Sequence, residues 1–492
     1  MNRALRRISL ACLVMFVALL INVNYLQGFQ SNSLASKTGN LRSFDQQYQY
    51  QRGSITTADG VTIAKSRPVK GIYKYQRYYP FGPVYAPVTG YDSLYSSTGI
   101  EQAESKLLQG TDPRLTVRNL VDLITGKPQQ GASVQLTINS KAQQAAYAAL
   151  KASGKSGAVV ALNPKTGAIL ALASYPSFDP NGYATFDGAK LNKIDARYRN
   201  NQNQPLLNRA INASYPPGST FKIVTSSAAL GTGRYNANSS VYAPTVLKLP
   251  QTSNTLINSN GEVCGTGSGQ VALIGAFAQS CNTVFGALGE KLGGSLLKQQ
   301  AGKFGFNDAG LTIPMPVSPS NYVAPPSQAL TAYSAIGQYS DTVTPMQEAM
   351  LSAAIANGGR LMKPYLVQDV KAPDLTTVQQ ATPSLFSQPV SATTASQVKA
   401  MMVSVVNAQN GTAVAVPGIH GTGLDIAGKT GTAQNGTNNT GLNDAVFTAL
   451  APAPNPDIAV GVVIRGGGYG AAAAAPIAVQ VISAYLHYLG HP

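Results

Sequence analysis

The sequence predicts an α+β fold: an antiparallel sheet with helices on both faces, preceded by a mainly β N-terminal domain and one membrane-spanning helix. Three observations lead there. An apolar run follows a cluster of arginines at the N-terminus, and short β-like runs broken by turns come after it. Beyond them, a strand–helix–hairpin block over 133–175 and three strand-like runs over 424–465 bracket a long, mainly helical middle.

The 492 residues are too many for one compact core and suggest two or three domains. With 44% hydrophobic and 11% charged residues, most of the chain is expected to be globular. Lys and Arg exceed Asp and Glu by 36 − 20 = 16, which favours anionic surroundings: nucleic acid, acidic lipid or an anionic cell wall. No zinc-finger spacing, lysine-rich helix or RNA-binding aromatic signature occurs, so no nucleic-acid partner is expected. No metal-ligand cluster is visible, and no cofactor is expected.

In "MNRALRRISLACLVMFVALLINVNYLQ", Arg3, Arg6 and Arg7 precede an apolar run over residues 8–26. A helix of about 19 residues spans roughly 28 Å, close to the hydrocarbon thickness of a bilayer. The arginines are expected to keep residues 1–7 cytoplasmic, with everything downstream outside the cell membrane. A cleaved signal peptide is the competing reading. The bulky, polar "INVNYLQGF" offers no small-x-small site, and no second span of comparable length follows, so a single uncleaved anchor is expected. Cys12 lies in that anchor. Cys264 and Cys281 lie outside, where a disulfide can persist, and their spacing leaves open whether they are bridged.

Residues 28–40 read as a flexible polar exit from the membrane, at the start of a domain expected over 27–150. From Gly53 to Tyr91, tyrosine-rich β-like runs alternate with turns such as Asp59-Gly60. "SVQLTINSKAQQAAYAALKASG" (133–154) reads as a strand and an alanine-rich helix. "GAVVALNPKTGAILALASYP" (157–176) reads as a hairpin turning at Asn163–Gly167. Residues 205–420 read as helices broken by Gly and Pro. "LDIAGKTGTAQ", "AVFTALAP" and "DIAVGVVIR" then return to strands, before a C-terminal helix ending near Leu489. This second extracytoplasmic domain is expected over 151–492.

Ser-x-x-Lys occurs at Ser219/Lys222, Ser295/Lys298 and Ser396/Lys399, and Lys-Thr-Gly at Lys37, Lys165 and Lys429, so neither pattern informs alone. Ser-x-Asn occurs once, at Ser280 and Asn282. One class of serine acyl-transferase needs the three motifs in that chain order. Order alone selects Ser219, Ser280 and Lys429. Context agrees: Lys429 sits in a strand-like run, Lys165 at a hairpin tip, and Ser396 at the start of an ordinary amphipathic helix. A serine after Pro-Pro-Gly also suits a helix cap, and the chemistry must be weighed against that role.

The spacing has a chemical reason. At the start of a helix, residues three apart share a face, so the Lys222 amine can reach the Ser219 hydroxyl. A lysine is a poor base while protonated at its reference pKa of about 10.4. A second cation nearby, Lys429, would depress it. Ser280 can relay a proton between the lysines, Asn282 can hold a substrate amide, and a helix N-terminus adds positive charge where an oxyanion forms. The only histidines are His420, His487 and His491, so a Ser-His-Asp triad is not expected.

Further segments carry a family resemblance: "RGSI" (52–55), "ADG" (58–60), "GIEQAESKLLQG" (99–110), "LTIN" (136–139), "YPPGSTFK" (215–222), "SCNTVF" (280–285), "VTPMQEA" (343–349), "ANGG" (356–359) and "GKTGTAQ" (428–434). With the 157–181 hairpin, they make the chain resemble class B penicillin-binding proteins, membrane-anchored D,D-transpeptidases of peptidoglycan synthesis, most of all the actinobacterial penicillin-binding protein A subgroup. The resemblance implies a penicillin-binding transpeptidase / serine β-lactamase-like fold behind a pedestal domain. It implies that Ser219 is acylated by D-Ala-D-Ala or a β-lactam, with Lys222 as general base and Ser280 and Lys429 completing the catalytic set. Asn282, Thr430, Gly431 and Thr432 become substrate-binding residues, and the backbone N–H groups of Ser219 and Thr432 an oxyanion hole. Implied partners are peptidoglycan stem peptides, a multi-span glycan polymerase and division proteins. Tyr339 and Val446 depart from the pattern, since many relatives carry Gly and Trp there.

Rival functions separate on sequence features. About 25 residues between anchor and "RGSI" are too few for an added polymerase domain. A β-lactamase needs a placed deacylating carboxylate, and none is identifiable. A D,D-carboxypeptidase shares all three motifs, and the pedestal favours transpeptidation over it. A sensor should carry several spans and a cytoplasmic effector.

Overall fold

A computed structural model describes residues 3–28, 30, 47–420, 423–434 and 442–491. Lys37 and all but the first and third residues of the 28–40 exit lie outside the described residues. Helix α1 (Arg3–Gly28) is longer than the predicted 8–26 segment, and its stretch Leu5–Leu26, with mean hydropathy 2.1, is long and apolar enough to cross a membrane. The C-terminal stretch Gly470–Tyr488 passes the same test of length and composition, yet 56% of it is buried against the rest of the protein. It is a core helix, and its apolarity comes from packing.

The first sheet is built from β1 (Ile55–Thr56), β2 (Thr62–Pro68), β3 (Tyr75–Tyr78) and β4 (Ser133–Leu136). Strand β1 runs parallel to β4 and antiparallel to β2. The strand read at the start of 133–154 spans Ser133–Leu136, and Asn139 caps helix α2 (Ser140–Ala152), its side chain accepting from the Lys141 and Ala142 N–H groups. Alternating burial along β4 puts Val134 and Leu136 in the core.

Beneath this sheet lies a buried charge cluster. Glu101 is fully buried and accepts from Arg52 Nε at 2.6 Å and Arg77 Nε at 2.5 Å. Arg52 also donates to the Glu101 carbonyl oxygen and Arg77 to the Gly53 carbonyl oxygen. Burial would raise the Glu101 carboxyl, but Arg77 and Arg52 together hold it below its ordinary value. Arg52 of "RGSI" and Glu101 of "GIEQAESKLLQG" are thus two ends of one ionic contact.

The second sheet contains β5 (Gly157–Leu162) and β6 (Ile169–Tyr175), the predicted hairpin. Helix α3 (Lys222–Gly231) opens a helical region that includes α4 (Leu273–Ala278), α5 (Asn282–Leu292) and α6 (Pro345–Ala356). Helix α6 starts at Thr344, whose hydroxyl accepts from Gln347 N–H with Pro345 in the first turn, and every residue from Pro345 to Ile355 is buried.

The 205–420 region departs from its mainly helical reading. Strands β7 (Val367–Lys371) and β8 (Thr377–Gln380) form a hairpin that adds to β4, so the first sheet has the order β8-β7-β4-β1-β2-β3. Three pairs of strands of two or three residues also occur: Ser240–Tyr242 with Gln270–Ala272, Val246–Lys248 with Thr255–Ile257, and Leu361–Met362 with Leu385–Ser387. They bury too few side chains to leave a pattern. Helix α7 (Ala392–Asn407) is capped by Ser391, so Ser396 lies inside it rather than at its start. The cap was hidden because its own side chain, not an apolar periodicity, defines that end.

Strands β9 (Ala427–Ala433), β10 (Asp444–Ala451) and β11 (Ile458–Ile464) complete the second sheet, ordered β9-β10-β11-β5-β6 and antiparallel throughout. All residues of β10 and β11 are buried, because α2 and helix α8 (Ala475–Tyr488) pack on the sheet together with α6. Helix α6 comes so close that a Cβ on Gly461 would land on the Ala349 amide. Strand β9 is an edge strand.

Replacing Glu101 with Ala would leave the buried Arg77 guanidinium without its carboxylate and Arg52 with only Asp92, at 4.0 Å. The expected cost is about 3–5 kcal/mol, seen as a lower urea midpoint for the detergent-solubilised chain.

Candidate active site

Ser219 lies on a single 3₁₀ turn, Gly218–Phe221, that leads into α3. It is half-buried, whereas Lys222 is completely buried. Three backbone approaches hold the turn. The Gly218 amide donates to the Gly337 carbonyl oxygen at 3.0 Å, and Tyr215 exchanges two hydrogen bonds with Val343. A Cβ on Gly337, which has φ +76°, would land on the Gly218 carbonyl oxygen. On the other side, a Cβ on Gly431 would sit 2.9 Å from the Pro217 carbonyl oxygen, so β9 can lie against the turn only with glycine there.

Ser280 joins α4 to α5 with φ +59°, a left-handed conformation that is uncommon for serine. The next residue, Cys281, is bridged to Cys264 with 5.9 Å between Cα atoms, which resolves the question left by spacing. The strained backbone turns both the carbonyl and the hydroxyl of Ser280 toward Lys222.

Two buried amines meet at Ser280. Lys222 Nζ lies 2.6 Å from the Ser280 carbonyl oxygen, 3.1 Å from Ser280 Oγ and 2.7 Å from Asn282 Oδ1. Lys429 Nζ donates to Ser280 Oγ at 2.8 Å and to the Thr430 carbonyl oxygen at 3.0 Å. Burial first, then the charge of Lys429, pushes the Lys222 amine well below the ordinary lysine value. Burial alone brings Lys429 down to about 7. Lys222 Nζ thus meets three oxygens, two of carbonyl type and the Ser280 hydroxyl. Phe285 and Phe277 each present a ring 5.5 Å from one amine.

The structure thus brings Ser280, Asn282, Lys222 and Lys429 into one hydrogen-bonded cluster, with the Ser219 turn beside it. One expected contact is absent. Among the described residues no hydrogen bond involves Ser219 Oγ, and the Lys222 amine is turned to Ser280 and Asn282 instead. Two short contacts to strong acceptors outcompete a single hydroxyl. The Asn282 amide correspondingly serves Lys222 and, through Nδ2, the Ile257 carbonyl oxygen.

On β9, Thr430 Oγ1 shares a hydrogen bond of 2.7 Å with Thr412 Oγ1, and Thr432 is half-buried beside the turn. Thr412 escaped the sequence reading, since one threonine after Asn-Gly in "NAQNGTAV" carries no distinguishing signal. Gly337 escaped it too, since its role is steric. Tyr339, two residues on, holds φ +76°, a left-handed conformation that is uncommon for a residue other than glycine. Val446 is fully buried. A cavity of about 640 Å³ lined by Tyr91, Phe178, Arg199, Leu206, Asn208 and Met315 includes none of these site residues.

Comparison with known proteins fits this arrangement. The penicillin binding protein transpeptidase domain matches residues 157–483, and the penicillin binding protein A dimerisation domain matches residues 52–134. The peptidoglycan D,D-transpeptidase PbpA of Mycolicibacterium smegmatis is 42% identical, covering 99% of each chain. Among solved structures, penicillin-binding protein A from M. tuberculosis as a ceftriaxone acyl-enzyme complex superposes with TM-score 0.85 at 39% identity, covering 90% of this chain and 100% of that one. Penicillin-binding protein 2 of Pseudomonas aeruginosa superposes with TM-score 0.72 at 31% identity, covering 89% of this chain and 96% of that one. A buried two-lysine cluster on one serine, set beside a second serine on a tight turn, is therefore found in a chain that belongs to the penicillin-binding protein transpeptidases, in class B.

Proposed function

We propose that this protein is a peptidoglycan D,D-transpeptidase that cross-links stem peptides through an acyl-enzyme on Ser219, and that β-lactams trap the same serine. The observation that carries the reading is the pair of buried lysines on Ser280, with the Lys222 amine pushed well below its ordinary value beside the Ser219 turn. In the reaction Ser219 Oγ attacks the carbonyl of the penultimate D-alanine while its proton passes to Lys222. The oxyanion is met by the backbone N–H groups of Ser219 and Thr432. Collapse breaks the D-Ala–D-Ala amide, and Ser280 relays the proton to the departing amine. An acceptor amine then attacks the ester and restores Ser219.

The hydrogen bonds suggest the order of events. Asn282 Oδ1 now accepts from Lys222. When a substrate amide N–H takes that acceptor, the lysine amine is released to turn toward Ser219. Lys429, with Thr430, Gly431 and Thr432, meets the substrate carboxylate, and Thr412 supports Thr430. The free edge of β9 lets an extended peptide add as a strand.

Membrane attachment is through α1, as a single span with the arginine-bearing end cytoplasmic. The resemblance adds a multi-span glycan polymerase and division proteins as proposed partners, with wall synthesis in cell division as the proposed setting. We keep the proposed domain bounds at 27–150 and 151–492, with β7 and β8 of the second pairing in the first sheet.

Ser219→Ala should abolish covalent labelling by fluorescent penicillin while leaving the melting temperature unchanged. Lys222→Ala should slow acylation by roughly 10²–10⁴-fold, measured as the second-order labelling rate. The pH dependence has a definite sign. Neutral Lys222 is the active form, so acylation rises with pH through its titration. Lys429→Ala removes the neighbouring charge, raises the Lys222 pKa and moves that rising limb to higher pH, whatever it does to the maximal rate.

A further inference from the structure

Glu348 is a carboxyl group in an unusual place. It is fully buried on α6, and its Oε1 lies 2.8 Å from Oγ1 of Thr220, the residue after Ser219. Its Oε2 has no hydrogen-bond partner. Helix α6 is fixed at this point, because the Thr448 hydroxyl donates to the Glu348 carbonyl oxygen at 2.6 Å and Gly461 lets the helix lie against β11.

Counting protons ties the state of this carboxyl to the direction of the Thr220 hydroxyl. Thr220 Oγ1 also lies 2.8 Å from the Pro217 carbonyl oxygen. A threonine hydroxyl has one proton, and a carbonyl oxygen can only accept. If Thr220 donates to Pro217, it can bond Glu348 only by accepting from it. Glu348 then carries the proton, and the chain Glu348 → Thr220 → Pro217 closes across the turn that bears Ser219.

The ionic surroundings agree. Among the described residues no cation forms an ion pair with Glu348. On the elements packed around α6, Lys222 and Lys429 are directed to Ser280, and Arg209 donates to the Asn203 and Gln204 carbonyl oxygens. Asp444 accepts from the Gly466 amide at the far end of β10, and Lys399 on α7 is half-buried. Burial pushes the Glu348 carboxyl up to about 8.

We propose that Glu348 is a positioning residue for acylation at Ser219: as a neutral carboxylic acid it donates to Thr220, which braces the 217–221 turn and so the serine. The proposal rests on the reading of Ser219 as nucleophile. Deprotonation reverses the Thr220 hydroxyl toward the carboxylate, releases the Pro217 carbonyl and places a negative charge behind the forming oxyanion. The brace is therefore present at neutral pH and lost as pH rises through about 8. Stability follows the same sign. The folded-state pKa lies above the unfolded value, so this group's contribution falls as pH rises from the unfolded value toward the folded one.

The test uses the full chain in detergent and the second-order rate of fluorescent penicillin labelling from pH 6 to 10. The comparison is between wild type, Glu348→Gln, Glu348→Ala and Thr220→Val. Gln keeps an N–H donor and cannot ionise. Its rate at pH 7 should stay within about twofold of wild type, and the fall seen in wild type above pH 8 should be reduced or gone. Ala and Val should each slow labelling roughly 10- to 100-fold at pH 7, the range expected for a misplaced reacting group, with no further loss when combined. If Ala does not fold, the Gln profile decides alone. Superposed profiles of wild type and Gln above pH 8, or Gln as slow as Ala, would overturn the inference. An unlabelled wild type would sink the reading of Ser219, and this inference with it; a labelled wild type with superposed profiles sinks this inference only.

Discussion

The site depends on one electrostatic constraint: two lysine amines, both fully buried, converge on a single seryl hydroxyl. Both are shut away from solvent and, among the described residues, neither forms an ion pair with a carboxylate, so the pair cannot hold two positive charges at low cost. Burial lowers both amines, and the charge of Lys429 adds to the effect at Lys222. The arrangement uses no histidine. It needs Ser280 in a left-handed conformation, where a single residue presents a carbonyl to one amine and a hydroxyl to both.

Such a cluster works only if segments distant in the chain approach more closely than side chains allow. Glycine makes those approaches possible at Gly218, Gly337 and Gly431, where backbone touches backbone around the Ser219 turn. Behind them, α6 is pressed on β11 at Gly461 and carries Glu348 to the underside of the turn. The rigid sheet and the buried helix therefore fix the position of a half-exposed serine.

Much of the site was legible because its chemistry demands particular residues in a particular order. Ser219, Lys222, Ser280, Asn282 and Lys429 stood out by motif sequence, although each motif but one recurs elsewhere in the chain. The second sheet was legible as well, since its strands are continuous apolar runs with clear turns. What escaped has physical reasons. The β7–β8 hairpin is mostly polar, with one strand largely exposed, so it left no strong alternation. Glu348 interrupts an apolar run as a solvent-facing residue would, and only the tertiary contact with Thr220 gives it meaning. The orientation of the Lys222 amine depends on competition between acceptors, which spacing does not encode.

The β7–β8 hairpin also bears on how the protein is made. Its strands are the last two of a sheet whose other members all lie before residue 137. While the chain is being synthesised, β4 emerges with a bare edge and waits through some 230 further residues before β7 arrives to cover it. The N-terminal part is thus finished only after most of the C-terminal part has been delivered. The interval between the two is when this protein most needs protection from its neighbours.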